Sequence, residues 1–541
     1  MMRTAADFFD MLPALPLPAE MRRWDEASVT LGLPDVMLME NAARSALAAL
    51  REHIPDLAGH KIWLFMGSGN NGGDAACLAR HLLDAGARPL VWHTRPLKSY
   101  AGATARHIRM ARATGVPFAF LRRPDLPDWK AAPEIIVDGL LGTGFNGDLR
   151  PDLAELVQRL NALDPPRFVL ALDIPSGLDG VTGRPCPIAV RATATVSFAA
   201  AKPGLILPWA RAWTGTLHVR AIGIPAVVRK TCPCSAYLLD GRSLAALPSP
   251  AAESYKNSFG HVLVLGGAPG LGGAAHLASR AALRAGAGLV TAAAPAASVT
   301  EIKNGWPEIM TLALGEPDQC HWPSEIPETL GHLLERCGAL VVGPGMGRGK
   351  EAAAFLASVL ALDNRPPAVF DADALILLAR EPALLRKINE RDILTPHPGE
   401  AAALLQCAAP VVQADRFAAL AALCRGCLGT VVLKGAGTLA GQGQGPLLAS
   451  PYDVPQLAVG GSGDVLAGCL GGLLAACQAG WQTSLPVAGM GVALHALAGR
   501  ACARRYPARG NTAGEVADAL PHVRARLALA TPDQEILPWP S

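Results

Sequence analysis

The alternation of short apolar runs with Ala-, Leu- and Arg-rich helical segments constrains the fold more than any other feature of this chain. The apolar runs are "KIWLF", "RPLVWH", "EIIVDGLLG" and "RFVLALD" in the first half, and "HVLVLGG", "ALVVGPG", "PAVFDAD", "DILTPHP" and "TVVLKG" in the second. A strand that is apolar along its whole length must be covered on both faces. The sequence therefore predicts an α/β protein with parallel sheets.

The length of the chain, 541 residues, predicts more than one domain. A polar, Pro-rich segment lies between "TGTLHVRAIGIP", which closes one sheet, and "GHVLVLGGAPGLGGAAHLASRAALRAGAGLV", which opens another. We predict domains at residues 1–228 and 229–541. The motifs at the two openings differ, which indicates two unrelated domains and not a repeat.

Composition argues against several functional classes. The net charge is only +3 and aromatic residues are 5% of the chain, so a nucleic-acid partner is not expected. The N-terminal sequence has no basic segment followed by an apolar one, so no signal peptide is predicted. The stretch "LAGCLGGLLAACQAGW" is interrupted by Gly and predicts a buried helix, not a membrane span. We expect a cytoplasmic protein without a membrane partner.

The 12 cysteines are scattered and lack zinc-ligand spacing. "CPC" and "CRGC" stand alone, and Cys427 precedes a predicted strand. Buried thiols are the main interpretation, and a redox CxxC is the alternative. Both fit a reducing compartment.

Polar loops follow the predicted strands of the first half. They are "NNGGD" (residues 70–74), Asp138 with "GLLGTGFNGD", "DIPSG" from Asp173, and "AAKPG" with Lys202 as a weaker fourth. Glycine allows a ligand to approach the backbone, and Asp138, Asp173 and Ser176 offer oxygen ligands for K⁺ or Mg²⁺. Each loop alone could be a helix cap. Their shared position at strand ends favours a binding site, and the absence of G-x-G-x-x-G does not support an ordinary dehydrogenase.

A glycine-rich helix start marks the second half. In "AVGGSGDVLAGCLGGLLA", the N–H groups around Gly463 could hold a transferring phosphoryl group, and Asp464 could act as the base for an attacking hydroxyl. In "VVLKGAGTL", Lys434 could meet a nucleotide phosphate. "GPGMGRGK" is not a P-loop, because Pro344 and Glu351 break the motif. With "DADAL" and "TPHPGE" alongside, a cap-only interpretation of "GSGD" is disfavoured, although His397 could still be a loop histidine without a catalytic role.

The motifs "LMENAARSAL", "GSGNNGGDAACLARHL", "IIVDGLLGTGFNGD" and "LALDIPSGLDG" together resemble the NAD(P)H-hydrate epimerase family. The resemblance implies a Rossmann-like three-layer domain that interconverts the R and S epimers of NAD(P)H hydrated at C6 of the nicotinamide. It implies Asp173 as the catalytic residue and K⁺ bound by Asn71, Asp138 and Ser176. The implied substrate-binding residues are Asn70, Asn71, Gly72, Gly73, Asp74, Gly142, Thr143, Gly144, Phe145, Asn146, Gly147, Asp148 and Asp173. Ala43 and Ala75 stand where the family commonly has Gly.

The second half resembles the NAD(P)H-hydrate dehydratase family of the ribokinase-like α/β fold. The motifs are "KNSFGHVLVLGGAPGLGG", "VVGPGMG", "DADAL", "TPHPGEAAALL", "KGAGT" and "GGSGDVLAG", in that order. The implied reaction phosphorylates the C6 hydroxyl of the S hydrate from ADP and then eliminates phosphate, giving NAD(P)H, AMP and phosphate. Asp464 would be the catalytic base. The implied substrate-binding residues are Gly345, His397 and Asp464, and the nucleotide-binding residues are Lys434, Gly435, Ala436, Gly437, Thr438 and Gly463.

The sequence leaves two other functions open. A small-molecule kinase of the ribokinase class would share "GSGD" but release a stable phosphorylated product. Alternatively, the first half could have lost catalysis and serve as a binding or assembly module, with Ala43 and Ala75 as its only support. We further expect Mg²⁺ at the phosphoryl-transfer site and a homo-oligomer whose size the sequence does not fix.

Overall fold

The computed structural model describes residues 5–121, 128–477, 481 and 483–529. These residues form two compact units. The first comprises residues 14–236, and the second combines the residues up to Pro13 with those from Tyr237 onward. The change of unit between Ala236 and Tyr237 falls shortly after the predicted boundary at Val228. Helix α1 (Ala5–Asp10) lies in the second unit, although the prediction placed residues 1–228 together.

Residues 5–13 belong to the second unit because their apolar side chains complete its core. Phe8 is fully buried, and its ring packs edge-to-face against Trp481 at a centroid distance of 5.8 Å. The ring of Phe9 packs against Tyr237 at 4.9 Å. A short segment with "FFD" and scattered prolines has no period that reveals which sheet it covers, so this exchange between the units was not predictable from the sequence.

Replacing Phe8 by Ala should destabilise the second unit by about 3–5 kcal/mol, the usual cost of removing a buried Phe. The loss should appear as a lower midpoint of urea unfolding, followed through the activity of the second unit. The matched control is Val29→Ala, an exposed position in the first unit, which should leave that midpoint unchanged. A midpoint unaltered by Phe8→Ala would contradict the assignment of residues 5–13 to this core.

The first unit contains one seven-stranded sheet in the order β3-β2-β1-β4-β5-β6-β7, and all neighbouring strands are parallel. This is the doubly wound order, in which the chain changes direction between β1 and β4 and ligands bind at the carboxyl ends there. The predicted Rossmann-like fold is confirmed. The strands are β1 (Lys61–Met66), β2 (Arg88–His93), β3 (Phe118–Phe120), β4 (Ile135–Gly139), β5 (Phe168–Leu172), β6 (Ala194–Phe198) and β7 (Thr216–Arg220). The helices are α2 (Pro18–Thr30), α3 (Asp35–His53), α4 (Asn70–Asp84), α5 (Gly102–Ala113), α6 (Pro151–Asn161), α7 (Arg211–Thr214) and α8 (Ala226–Thr231).

The second sheet has ten strands in the order β11-β10-β9-β12-β13-β14-β15-β16-β17-β8. Strands β9 to β15 pair in parallel as predicted, whereas β15, β16 and β17 pair antiparallel, because two short turns and not helices connect them. The strands are β8 (Ala236–Leu238), β9 (His261–Leu265), β10 (Leu289–Pro295), β11 (Met310–Leu314), β12 (Ala339–Val342), β13 (Ala368–Phe370), β14 (Ile393–Leu394), β15 (Thr430–Leu433), β16 (Leu439–Gly441) and β17 (Leu447–Ala449).

Helices cover both faces of this second sheet. They are α9 (Gly272–Ala285), α10 (Val299–Lys303), α11 (Glu328–Leu334), α12 (Lys350–Leu360), α13 (Asp373–Arg380), α14 (Pro382–Leu385), α15 (Pro398–Leu404), α16 (Ala409–Ala414), α17 (Arg416–Gly426), α18 (Ser462–Cys477), α19 (Leu485–Arg505) and α20 (Ala513–Leu529). Among the described residues, only α19 is long and apolar enough to cross a membrane, and 83% of its most apolar stretch is buried within the protein.

The glycines of α18 allow it to pack directly on α9. A Cβ atom at Gly468 would lie 1.9 Å from the carbonyl oxygen of Ala278, and one at Gly472 would lie 2.7 Å from that of Ala282. The apolar stretch that superficially resembles a membrane span is therefore a buried core helix, as predicted. This contact fixes the start of α18, where Asp464 lies.

Candidate active sites

The first unit has a cavity of about 390 Å³ at the carboxyl ends of β1, β4 and β5. Its volume is within the range of small-molecule sites, and its place matches the reversal of strand order between β1 and β4. Of the residues predicted to bind substrate, those lining it are Asn70, Asn71, Asp74, Gly142, Thr143, Gly144, Phe145 and Asp173. The cavity brings together three of the predicted loops.

A buried ion pair forms the polar centre of this cavity. Lys202 is completely buried, and its Nζ donates to Asp173, to Ser197 Oγ at 3.0 Å and to the Phe198 carbonyl at 3.1 Å. The other Asp173 oxygen accepts from the backbone N–H of Thr143 at 3.0 Å. Asp173 also has a positive φ of 65°, an uncommon backbone conformation for a residue other than glycine. The ion pair and the backbone hydrogen bond therefore hold the carboxylate at a fixed position.

Two further carboxyl groups face the same cavity. Burial and the charge of Asp173 raise the pKa of Asp25 to about 6. Complete burial, with the charges of Asp173 and Asp25, raises the pKa of Asp74 well above its usual range. The raised pKa values favour the protonated form of Asp74 and a fraction of protonated Asp25. Both lie beside the ion pair of Asp173 and Lys202. Such a set can both donate and accept protons at a bound hydroxyl group.

Sequence reasoning missed Asp25 and gave Lys202 too little weight. Asp25 lies in the middle of α2, not after a strand, so no strand-end rule points to it. Lys202 follows β6 in "AAKPG", a weak motif by itself. The position of α2 beside the cavity identifies Asp25 as a site residue, and the ion pair with Asp173 identifies Lys202.

Asn71, Asp138 and Ser176, the predicted K⁺ ligands, lie around one backbone segment. Asn71 Nδ2 donates to the Leu141 carbonyl at 2.7 Å, and the Leu141 N–H donates to Ser176 Oγ at 2.9 Å. Ser176 Oγ donates to Asp138 Oδ1 at 2.6 Å. Burial raises the pKa of Asp138 to about 6, although the hydrogen bonds from Ser176 act to lower it. Asn71 Oδ1 is buried and accepts no hydrogen bond from the described residues.

Some of the predicted binding residues do not line the described cavity. Gly72 is buried because its α-carbon packs against Gly67: a Cβ there would lie 2.1 Å from the Gly67 carbonyl oxygen. Gly73 is likewise enclosed, against Met39 and Thr104. Gly72 therefore serves close packing of α4 against the segment after β1, and Gly73 serves packing of α4 against α3 and α5. Asn146, Gly147 and Asp148 are exposed outside the cavity lining.

The two departures from the epimerase pattern lie away from the cavity lining. Ala43 and Ala75 are fully buried in the core of the first unit. Ala75 faces Gly139, where an added Cβ would approach Ala75 Cβ to 2.7 Å. Neither methyl group crowds a ligand, so the only support for a non-catalytic first half is removed.

The second unit brings charged side chains together at the carboxyl ends of β13, β14 and β15. Lys434 Nζ donates to Asp371 Oδ1 at 2.5 Å and lies 3.8 Å from Glu400 Oε2. Thr395 Oγ1 also donates to Asp371, at 2.7 Å. Asp371 and Glu400 belong to the motifs "DADAL" and "TPHPGE", but sequence reasoning did not select either as a site residue.

Asp464 faces this cluster from the first turn of α18. Burial, then the charge of Asp371, raises the pKa of Asp464 to about 7, and Lys434 opposes the shift. Burial raises the pKa of Glu400 to about 7 in the same way. A carboxyl group with a pKa near neutrality, beside a helix N-terminus, is suited to accept a proton from a hydroxyl group as an anion is bound next to it.

A buried arginine shapes the predicted nucleotide-binding turn, residues 434–438. Arg416 Nη2 donates to the carbonyls of Leu433 at 2.9 Å and Lys434 at 3.2 Å. Burial lowers the pKa of Arg416 to about 10. Gly435 has a φ of 135°, which favours glycine. The turn leaves Gly435 and Ala436 exposed, with Lys434 on its inner side.

Gly345 and His397, the remaining predicted substrate residues, follow β12 and β14, which lie on either side of β13. Gly345 has a φ of 60°, and an added Cβ would lie 2.6 Å from the Leu271 carbonyl oxygen. His397 caps α15, because its Nδ1 accepts from the N–H groups of Gly399 at 2.9 Å and Glu400 at 3.3 Å. Its Nε2 lies 3.3 Å from Glu400 Oε1, and more than half of the side chain is exposed.

All 12 cysteines are free thiols, and burial raises the pKa of Cys424 to about 12 and that of Cys427 to about 11. Neither is the low-pKa thiolate that a redox CxxC requires. The interpretation as buried thiols is thus favoured for "CRGC".

Both halves of the chain match known protein families. Residues 35–204 match the family described as "YjeF-related protein N-terminus", and residues 262–522 match the family described as "NAD(P)H-hydrate dehydratase". The bifunctional NAD(P)H-hydrate repair enzyme of Moorella thermoacetica is 35% identical over 94% of this chain and 96% of its own length. That of Coxiella burnetii is 36% identical over 93% of this chain and 97% of its own. A crystal structure of an ADP/ATP-dependent NAD(P)H-hydrate dehydratase from Bacillus subtilis, with ATP and Mg²⁺, is 26% identical and covers 53% of this chain and 96% of its own, with a TM-score of 0.42.

The two sheets and their strand-end sites define a two-domain α/β enzyme, with an acid–base cavity in one domain and a phosphoryl-transfer site in the other. The chain belongs to the family of bifunctional NAD(P)H-hydrate repair enzymes, which join an epimerase domain to a dehydratase domain.

Proposed function

We propose that the first unit epimerises hydrated NAD(P)H in the cavity around Asp173, and that the second dehydrates the S epimer with ADP at Asp464. The observation that carries the second assignment is Asp464 itself, with a pKa near 7 at the start of α18 and Lys434 opposite. Hydroxide is a poor leaving group and phosphate a good one. Phosphorylation of the C6 hydroxyl, with its proton passing to Asp464, therefore prepares the carbon for elimination and restores the reduced nicotinamide.

In the first unit, inversion at C6 requires that the hydroxyl leave from one face of the ring and water add to the other. A neutral acid must protonate the departing hydroxyl, and a base must take a proton from the incoming water. The raised pKa values of Asp25 and Asp74 favour carboxyl groups that can donate a proton. Asp173, paired with Lys202, supplies the carboxylate. The three differently charged environments support this division of roles.

Two cations fit these sites. The unpartnered, buried Asn71 Oδ1 supports K⁺ beside Asp138 and Ser176, where it would orient the loop after β4. In the second unit, Asp371 and Glu400 would hold Mg²⁺. Lys434 supplies only one positive charge among these carboxyl groups, so a divalent cation would complete the neutralisation of their charge. Mg²⁺ would supply neutralisation of charge on the phosphates.

The proposal is tested by incubating purified protein with a mixture of R and S hydrates and following NADH absorbance. With ADP, both epimers should be converted to NADH; without ADP, no NADH should form. Comparing ADP with ATP identifies the phosphoryl donor. A stable phosphorylated product without NADH would instead identify a small-molecule kinase. The cytoplasmic location and the homo-oligomer remain predictions, which fractionation and light scattering would examine.

Exchanging K⁺ for tetramethylammonium should slow epimerisation severalfold, because a bulky cation cannot enter the space around Asn71 Oδ1. The measurement is the rate at which pure R hydrate becomes available to an excess of dehydratase. The same exchange at constant ionic strength should change the dehydration of pure S hydrate less. Equal epimerisation rates in the two salts would contradict a K⁺ site.

A further inference from the structure

A second group of polar side chains lies in the first unit, outside the epimerase cavity lining. Glu40 of α3, Cys77 of α4 and His107 of α5 each offer one donor atom, and all three atoms lie within 4.8 Å of one another. Glu40 belongs to "LMENAARSAL", a motif that the proposed catalytic roles do not use. Cys77 and His107 are buried.

His107 presents an unused lone pair to this group. Its Nε2 lies 3.2 Å from the Val36 carbonyl oxygen, which can only accept, so Nε2 carries the ring proton. Nδ1 is then the basic nitrogen; it is buried and has no hydrogen-bond partner among the described residues. It lies 3.9 Å from Glu40 Oε2, so two electron-rich atoms face each other with no hydrogen between them.

Two of the three distances between donor atoms approach those of a metal site. Cys77 Sγ donates to Glu40 Oε2 at 3.3 Å, and His107 Nδ1 lies 3.9 Å from the same oxygen. Tetrahedral Zn²⁺ with ordinary bond lengths would place such ligand atoms roughly 3.3–3.6 Å apart. The bond from His107 Nε2–H to a backbone carbonyl is also the usual way that a protein orients a metal-binding histidine.

The positive charge of Arg80 opposes a cation here. Its Nη2 contacts Glu40 Oε1 at 2.7 Å and Oε2 at 2.6 Å, and its side chain is 20% exposed. A metal bound through Oε2 alone leaves Oε1 to Arg80 and to His81, which lies 2.8 Å from it. Arg80 can therefore remain as an outer partner, at an electrostatic cost to metal affinity.

We propose that Glu40 Oε2, Cys77 Sγ and His107 Nδ1 bind one borderline divalent metal ion of the Zn²⁺ type. The thiol proton passes to water as the sulfur–metal bond forms, so a thiolate, a carboxylate and a neutral imidazole balance the two charges of the ion. The bound ion would link α3, α4 and α5. Since α4 begins with the Asn70–Asp74 segment, the site would stiffen the helix that lines the epimerase cavity.

The test uses the full-length, metal-free protein without an affinity tag, titrated with Co²⁺ alone. We expect one equivalent to bind with thiolate-to-cobalt charge-transfer absorption, and Zn²⁺ to displace it and raise the melting temperature. Cys77→Ala should abolish the absorption, whereas Cys424→Ala, at a buried cysteine of the other unit, should leave it intact. Arg80→Gln keeps all three ligands and should bind Co²⁺ at least tenfold more tightly, a result that does not depend on the folding of Cys77→Ala. Absence of the charge-transfer absorption, its persistence in Cys77→Ala, or unchanged affinity in Arg80→Gln would overturn the proposal.

Discussion

Asp464→Asn should lower the rate of ADP-dependent dehydration by roughly 10²-fold or more, the scale expected for loss of a general base. Asn keeps the size and most hydrogen bonds of Asp but cannot accept the proton of the C6 hydroxyl. Nucleotide affinity should change little, because Lys434 and the helix start remain. The measurement is single-turnover formation of NADH from pure S hydrate, with ADP affinity determined separately.

The matched control for this variant is Asp373→Asn. Asp373 lies in the same unit and accepts hydrogen bonds from Gly347 N–H at 2.9 Å and Arg348 Nε at 2.6 Å, so its role is to hold a loop. Asp373→Asn should therefore change the affinity for substrate more than the rate of the chemical step. Near-normal dehydration by Asp464→Asn would remove the role as a base and leave Asp464 as a helix cap.

The pH profile offers an independent check on Asp464. A base acts only when deprotonated, and the pKa of Asp464 is about 7. The value of kcat/KM for dehydration should therefore fall about tenfold per pH unit below that point and level off above it. The residual activity of Asp464→Asn should lose this dependence. A wild-type profile that is flat from about pH 5 to about pH 8 would argue against Asp464 as the titrating group.

Asp173→Asn should lower the epimerisation rate by about 10²-fold or more, because it removes the carboxylate that pairs with Lys202. It also leaves the buried Lys202 ammonium without its counter-charge, so some loss of stability is expected. The measurement is the conversion of pure R hydrate in the presence of excess dehydratase and ADP. Dehydration of pure S hydrate by the same variant should stay normal.

Asp74→Asn provides the contrasting control in the same cavity. Burial and the charges of Asp173 and Asp25 raise the pKa of Asp74 well above its usual range. This favours the protonated carboxyl, which is similar to an amide in charge and shape. The effect of Asp74→Asn on epimerisation should be much smaller than that of Asp173→Asn. The reverse order of effects would assign the ionised role to Asp74 and contradict the proposed pairing with Lys202.

Much of the architecture was predictable because it depends on local patterns. The strands with continuous apolar sequence are strands in the structure, and the polar loops after β1, β4 and β5 meet at one edge, as parallel topology requires. The antiparallel strands β16 and β17 were not predicted, since the sequences "LAG" and "LLA" are too short to show a period.

The parts of the sites that were not predicted depend on long-range packing. Asp25 reaches its cavity only because α2 lies over the sheet edge, and Arg416 supports the nucleotide-binding turn from α17. The glycines of "NNGGD" were assigned to ligand approach, but Gly72 packs against the Gly67 backbone and Gly73 against the side chains of Met39 and Thr104. A glycine pattern indicates a close approach, and cannot by itself show whether a ligand or another part of the protein makes it.

The burial of Phe8 in the second unit has a consequence for biosynthesis. A ribosome makes residues 5–13 before any part of the sheet that they complete, and the whole first unit is translated in between. The first unit can reach its native fold while its own N-terminal extension is still without a partner. The dehydratase core then closes only when a segment made hundreds of residues earlier returns to it, so translation of the second domain ends with a long-range search for the apolar side chains of "FFD".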